Sequence, residues 1–163
     1  MKIDILCVGK IKEKFFRDAI AEYTKRLGRY ASMNIIEVSD EKTPDNASEN
    51  VIMDILDKEG SRLQKYIPDK GQNDTYVITL EINGKEISSE KLADKIADLN
   101  VSGVSHIIFV IGGSLGLHPD VTKRADYHLS FSPMTFPHQL MRVILLEQIY
   151  RSFRIINHEP YHK

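Results

Sequence analysis

The stretch His106-Ile-Ile-Phe-Val-Ile-Gly112-Gly113-Ser-Leu-Gly116 decides the fold. Its apolar run lacks the alternation of a strand that faces water on one side. It reads as a strand buried on both faces, the pattern of a parallel sheet covered by helices. The run stops at two adjacent glycines. Glycine lets the backbone turn sharply and come close to a ligand. The end of this strand is therefore a candidate crevice, of the kind that open α/β sheets place at the carboxyl ends of their strands.

Outward from that strand, the chain alternates. Ile3–Val8, Met33–Val38, Tyr76–Leu80 and the short segment Tyr127–Phe131 read as further strands. Between them, Lys12–Arg29 carries Phe15, Phe16, Ala19, Ile20, Tyr23 and Leu27 at helical spacing. Val51–Tyr66 carries Ile52, Ile55, Leu56 and Leu63, with Gly60 as its weak point, and Ser88 or Ser89 can cap a helix that runs to about Leu99. Glu41–Asn50, with Pro44, reads as a loop or helix entry, Pro68–Asp74 as a turn-rich connection, Asn83-Gly84 as a tight turn, and His118–Ala125 as one or two helical turns. Pro137 suits the first turn of a last helix, His138–Ile156, which is apolar on nearly every side. A helix so apolar needs partners all round, and one face is expected to pack on a second subunit. The alternation predicts a single α/β domain over residues 1–163, with a mostly parallel sheet and helices on both faces.

Composition narrows the function classes. The chain is 42% hydrophobic and 28% charged, ordinary for a soluble globular protein. No apolar stretch is long enough to span a bilayer, and the first residues lack the order of a secretory signal, so the expected location is the cytoplasm, with no membrane partner. The one cysteine, Cys7, lies in an apolar run and reads as a buried structural thiol. A net charge of −1 excludes a global polycation. Basic residues nevertheless gather in Lys10–Arg29 and again at Arg142, Arg151, Arg154 and Lys163, which would give a polyanion one positive face.

The motifs exclude as much as they suggest. Gly112-Gly-Ser-Leu-Gly116 lacks the Gly-Lys-Ser/Thr of a phosphate-binding loop, and its glycine spacing is wrong for a dinucleotide fingerprint. A second segment, Phe131-Ser-Pro-Met-Thr-Phe136, is a proline-containing loop that can bracket a planar base between backbone groups and apolar side chains. His138 and Arg142, four residues apart, share one helix face and pair a group that accepts a proton near neutral pH with one that holds a phosphate or an oxyanion. His106 reads as structural. The ending His158-Glu-Pro-Tyr161-His162-Lys163 concentrates chemically able side chains. No metal is expected from its histidines, and no nucleophile elbow is present.

Together these segments resemble the RlmH-type large-subunit ribosomal RNA pseudouridine N3-methyltransferases of the SPOUT superfamily. The likeness runs from Val8-Gly9-Lys10 through Leu80-Glu-x-x-Gly84-Lys85 and the glycine turn to Leu-Ser-x-Ser132-x-Met134-Thr-Phe-Pro-His138-Gln-Leu-x-Arg142, Glu147-Gln148, Arg151 and Tyr161-His162-Lys163. It covers essentially the whole chain. In place of a commoner acidic pair stands Glu81-Ile-Asn83.

The resemblance implies an α/β fold with a C-terminal trefoil knot and a homodimer acting on N3 of a pseudouridine in 23S ribosomal RNA of assembled ribosomes. It implies S-adenosylmethionine bound at Leu80, Gly112, Phe131, Ser132, Pro133, Met134, Thr135 and Phe136, and a tail that reaches an active site, expected to be the partner's. His138 or His162 would be the base. Arg142 would meet an RNA phosphate or the uracil carbonyls, and Tyr161 the target base. A SPOUT enzyme acting on transfer RNA and a non-catalytic ribosome-associated RNA-binding protein are the alternatives.

Overall fold

The computed structural model describes residues 1–71 and 74–163. The strands are β1 (Lys2–Val8), β2 (Ser32–Val38), β3 (Thr75–Glu86), β4 (His106–Ile111) and β5 (Tyr127–Ser130). The helices are α1 (Lys14–Leu27), α2 (Glu49–Gln64), α3 (Ser89–Val101), α4 (Pro119–Thr122) and α5 (His138–Ile156). Among the described residues the strands form one sheet in the order β2-β1-β4-β3-β5, and every pairing is parallel. The predicted α/β class and parallel sheet are what the structure has, and the apolar run His106–Ile111 lies inside the sheet between β1 and β3.

Pleating divides the central strands between two cores. Ile3, Ile5, Cys7, Ile107, Phe109 and Ile78 face α1, α3 and α5, where they meet Leu27, Leu92, Ile96, Leu145, Leu146, Ile149 and Phe153. Leu6, Val8, Ile108, Val110 and Val77 face the other way, towards Leu63 and Val121 of α2 and α4. Each such side chain removed from water contributes about 1.5–3 kcal/mol. Asp4, buried in β1, is met by His106 Nε2 at 2.8 Å from the adjacent strand, which makes His106 the structural residue the sequence suggested. Burial pushes the Cys7 thiol up to about 12, against a smaller opposing pull from Arg142, so it is inert.

Several elements depart from their predicted form. Helix α2 starts at Glu49, two residues before the predicted Val51 and inside the expected loop or helix entry, capped by Ser48 Oγ. It runs unbroken through Gly60, because a Cβ there would stand 2.8 Å from that of His118; the glycine lets α2 close on the residue that caps α4. Phe15 is not core: it is 65% exposed, its ring tilted against Phe16. The predicted connection Pro68–Asp74 lies partly outside the described residues.

The largest departure is at Asn83-Gly84, which is not a separate tight turn but part of a long β3. The ladder to β5 stops at Leu80 and resumes at Lys85, and both residues pair with Leu129. Glu81–Gly84 therefore form a wide bulge, a device that re-aims side chains at the rim of a sheet. A Cβ on Gly84 would stand 2.7 Å from the Leu129 carbonyl carbon and 2.9 Å from the His128 oxygen, so only glycine lets the strands approach. Gly84→Ala is expected to lower stability by about 2 kcal/mol in urea unfolding, since backbone and not a flexible side chain must yield.

Candidate active site

The segments at the ends of three consecutive strands, β4, β3 and β5, and the start of α5 enclose one cavity of about 690 Å³, within the range of small-ligand sites. Of the residues expected to hold a cofactor, Leu80, Gly112, Phe131, Ser132, Met134, Thr135 and Phe136 line it. Pro133 does not line it and is exposed on the outer side of its loop. Sequence reading missed the bulge residues Glu81, Ile82 and Asn83, and also Ser114, Leu117 and Met141. The bulge could have been found only from its register against β5, which no local pattern carries.

The loop from Phe131 to Pro137 is tied down at its root. Ser130, buried at the end of β5, donates from Oγ to the Ile82 carbonyl at 2.9 Å and to the Ser132 carbonyl at 3.2 Å. Ser132 Oγ in turn accepts from the Met134 N–H at 3.0 Å. Bulge and loop are thus joined through one buried hydroxyl.

The glycines make the sharp turn that was expected of them, and packing at two of them requires it. A Cβ on Gly112 would meet the Gly116 carbonyl oxygen at 2.5 Å, and one on Gly113 would press on the Glu59 carboxylate at 3.0 Å and on Val8 at 3.1 Å. Gly112 lets the turn fold back on itself, closed by the Gly116 N–H to the Gly113 carbonyl at 3.1 Å, and Gly113 lets it pack against α2 and β1. Gly116 takes φ +84, a conformation that side chains disfavour.

His138 and Arg142 do share a face, and both converge on Gly9 beyond the end of β1. His138 Nε2 lies 3.5 Å from the Cβ position of Gly9, and His138 is among the residues that line the cavity. Desolvation, with Arg142 adding to it, holds His138 below its ordinary 6.5, against a smaller upward pull from Asp40 and Glu13. The ring is neutral at physiological pH and free to accept a proton.

Arg142 is placed otherwise than expected. It is 1% exposed and donates from Nη1 to Glu37 Oε2 at 2.6 Å, and from Nη2 to the carbonyls of Gly9 at 2.6 Å and Val8 at 3.1 Å. Nε finds no partner among the described residues, but the whole group is enclosed, so no edge of it reaches the surface to meet an RNA phosphate. The role is structural: Arg142 pins α5 to the end of β1 and so fixes His138.

The tail lies on α5 of its own chain and does not line this chain's cavity. Tyr161 donates to Glu147 Oε1 at 3.1 Å and stands edge-on to Tyr150, with Arg151 over its ring at 4.6 Å. His162 Nε2 meets Glu90 Oε1 at 2.7 Å, and its Nδ1 lies 3.2 Å from Arg151 Nη1, so both ring nitrogens are engaged. Glu90 is held down to about 2, first by its own backbone N–H at the start of α3 and next by His162. Further back, Glu159 accepts from Tyr30 Oη at 2.5 Å and pairs with Arg29 and Arg154. The C-terminal arginines are therefore paired with carboxylates, Arg151 with Glu147 and Arg154 with Glu159, and do not form the open basic patch the sequence suggested. Lys10, Lys12, Arg17 and Lys25 remain exposed around α1. His158, four residues before His162, is exposed at φ 55 beyond the helix end. Among the described residues no group of three or more histidines, cysteines, aspartates or glutamates is placed to hold a metal, and no helix is long and apolar enough to cross a membrane.

Residues 1–162 match the family described as predicted SPOUT methyltransferase. The chain belongs to the SPOUT methyltransferase family. It is 61% identical over 163 residues, the full length of both proteins, to the ribosomal RNA large subunit methyltransferase H of Bifidobacterium adolescentis. It has the same identity and full coverage with the putative ribosomal RNA large subunit methyltransferase H of Methanococcus maripaludis. In fold it is similar to a probable methylase family protein of Haemophilus influenzae, with a TM-score of 0.55 and 16% identity over 99% of this chain and 70% of that one. The protein is thus an enzyme of the SPOUT methyltransferase class, and that class implies S-adenosylmethionine as the methyl source in general terms.

In this SPOUT enzyme the unfolded chain binds the His138 proton more tightly than the folded one. The contribution of His138 to stability is intact above 6.5 and is lost as pH falls from 6.5 through the lowered folded value. A proton-NMR titration is expected to place the His138 midpoint below that of an unstructured histidine. Arg142→Ala, which strands Glu37 and two carbonyls, is expected to cost about 3 kcal/mol in chemical unfolding and to raise the His138 midpoint.

Proposed function

We propose that this SPOUT methyltransferase transfers a methyl group from S-adenosylmethionine to N3 of a pseudouridine in large-subunit (23S) ribosomal RNA, acting on assembled ribosomes in the cytoplasm as a homodimer. The observation that carries it is the cavity between the glycine turn and the loop after β5, with a neutral imidazole at its edge. The names of the full-length relatives support the ribosomal substrate. The trefoil knot and the single-domain organisation over residues 1–163 belong to the same proposal, and family membership supports the knot.

The cavity's chemistry suits the donor. Its volume takes a nucleoside-sized ligand, and Leu80, Leu117 and Phe131 give a ring an apolar wall. The backbone around Gly112 and from Phe131 to Phe136 offers amides and carbonyls, and in this proposal these residues hold the ligand. When bound, S-adenosylmethionine supplies an electrophilic methyl carbon, so positioning provides most of the rate. What the protein must add is removal of the N3 proton. Between the two histidines, His138 is the base: it faces the cavity and is neutral, whereas His162 has neither ring nitrogen free. A positioned base near its operating pH is worth about 10²–10⁴-fold. Arg142 acts as a positioning residue behind it.

The partner subunit is proposed from α5. None of its 19 residues is fully exposed, yet Leu140, Val143 and Ile144 stand outside the two cores. A second copy packed on this stripe would bring Tyr161 and His162 of one chain to the cavity of the other, where Tyr161 stacks on the target base. The exposed basic residues of α1 and its approach would take flanking phosphates, with an affinity that falls as salt rises.

Deleting Tyr161–Lys163 is expected to leave binding of S-adenosylmethionine unchanged in calorimetry and to abolish transfer of labelled methyl to ribosomes. Full activity of the truncated protein would remove the tail from the mechanism. Label appearing on isolated transfer RNA instead of ribosomes would replace the substrate, and absence of any heat of donor binding would leave a non-catalytic RNA binder.

A further inference from the structure

The bulge in β3 brings to the cavity a carboxylate to which the resemblance assigned no role. Glu81–Gly84 stand out of the ladder between two residues that both pair with Leu129. The close approach at Gly84 fixes one end of the bulge, and the Ser130 hydroxyl, bonded to the Ile82 carbonyl at 2.9 Å, fixes its middle. Glu81, Ile82 and Asn83 consequently line the cavity.

Glu81 is also held in orientation. Its Oε2 accepts from Thr79 Oγ1 at 2.6 Å and faces His128 Nδ1, which lies 3.2 Å from the same Thr79 hydroxyl. Thr79 is fully buried, so the anchor is rigid. Glu81 Oε1 has no partner among the described residues. A carboxylate tethered through one oxygen and open at the other is a preorganised acceptor for hydroxyl donors. Its neighbours in the wall, Leu80 and Ile82, are apolar. A vicinal diol satisfies such an acceptor with neutral donors and brings no second charge into this setting.

We propose that Glu81 binds the ribose hydroxyls of the methyl donor and that Thr79 and His128 position it. This rests on the cavity being the S-adenosylmethionine site. Two ligands test it by calorimetry: S-adenosylhomocysteine, and 5′-methylthioadenosine, which keeps adenine and ribose but lacks the amino-acid end. Glu81→Ala is expected to weaken both by a similar factor, about 10- to 100-fold, the loss of a hydrogen bond to a charged group. Should that variant lose the wild-type melting transition, Glu81→Gln, which keeps an acceptor for Thr79, takes its place with the same readings and a smaller expected loss. His128→Gln leaves the carboxylate in the cavity wall and is expected to weaken both ligands several-fold; unchanged affinity there would overturn the positioning role of His128. Unchanged affinity in the Glu81 variants, or a loss confined to S-adenosylhomocysteine, would overturn the ribose assignment, the latter because the carboxylate would then meet the amino-acid end. Wild-type protein that binds neither ligand would instead overturn the cofactor assignment of the cavity, and this proposal with it.

Discussion

The buried guanidinium of Arg142 joins the parts of the molecule that have to stay in register. It reaches from α5 to two carbonyls at the end of β1 and to Glu37 on β2, from a position with almost no access to water. A cation so enclosed is tolerable only because acceptors meet it on several sides. With that fork in place, the first turn of α5 is fixed against the end of the sheet, and His138 stands where the cavity needs it. Without it, the segment from Phe131 to Pro137 would be anchored only at its root, by Ser130.

A second constraint comes from the way β3 and β5 meet. One residue of β5, Leu129, pairs with two of β3, and the extra chain length must go somewhere. It goes outward as Glu81–Gly84, over the cavity. The glycine turn after β4 supplies the opposite wall, and its own tightness comes from backbone meeting backbone at Gly112 and Gly116. The cavity is therefore bounded by three irregular segments on a sheet that is otherwise regular, two of them tied together through the Ser130 hydroxyl and the third closed on itself.

Much of this was legible in the sequence. The unbroken run before Gly112 has no other economical interpretation than a strand covered on both faces, and the bounds of α5 follow from Pro137 at its start and apolar residues almost to Asn157. The residues of the loop after β5 announce themselves by composition. What could not be read were properties of register and pairing. Asn83-Gly84 has the local chemistry of a tight turn, and only the position of β5 makes it a bulge. Gly60 looks like a helix breaker until α4 is seen against it. Arg142 looks like a free cation because nothing near it in the chain gives away Glu37, more than a hundred positions earlier, as its partner. The glutamates that quench Arg151 and Arg154 are local by contrast, Glu147 four residues before and Glu159 five residues after.

Cys7 carries one more consequence. The chain's lone thiol is wholly enclosed in the central sheet and held far from its reactive form. Alkylating reagents and fluorophores will pass over it while β1 remains between β2 and β4. A probe can therefore be attached at any surface position through an introduced cysteine with the native one left in place, and the accessibility of Cys7 itself becomes an internal gauge of whether the middle of the sheet has opened.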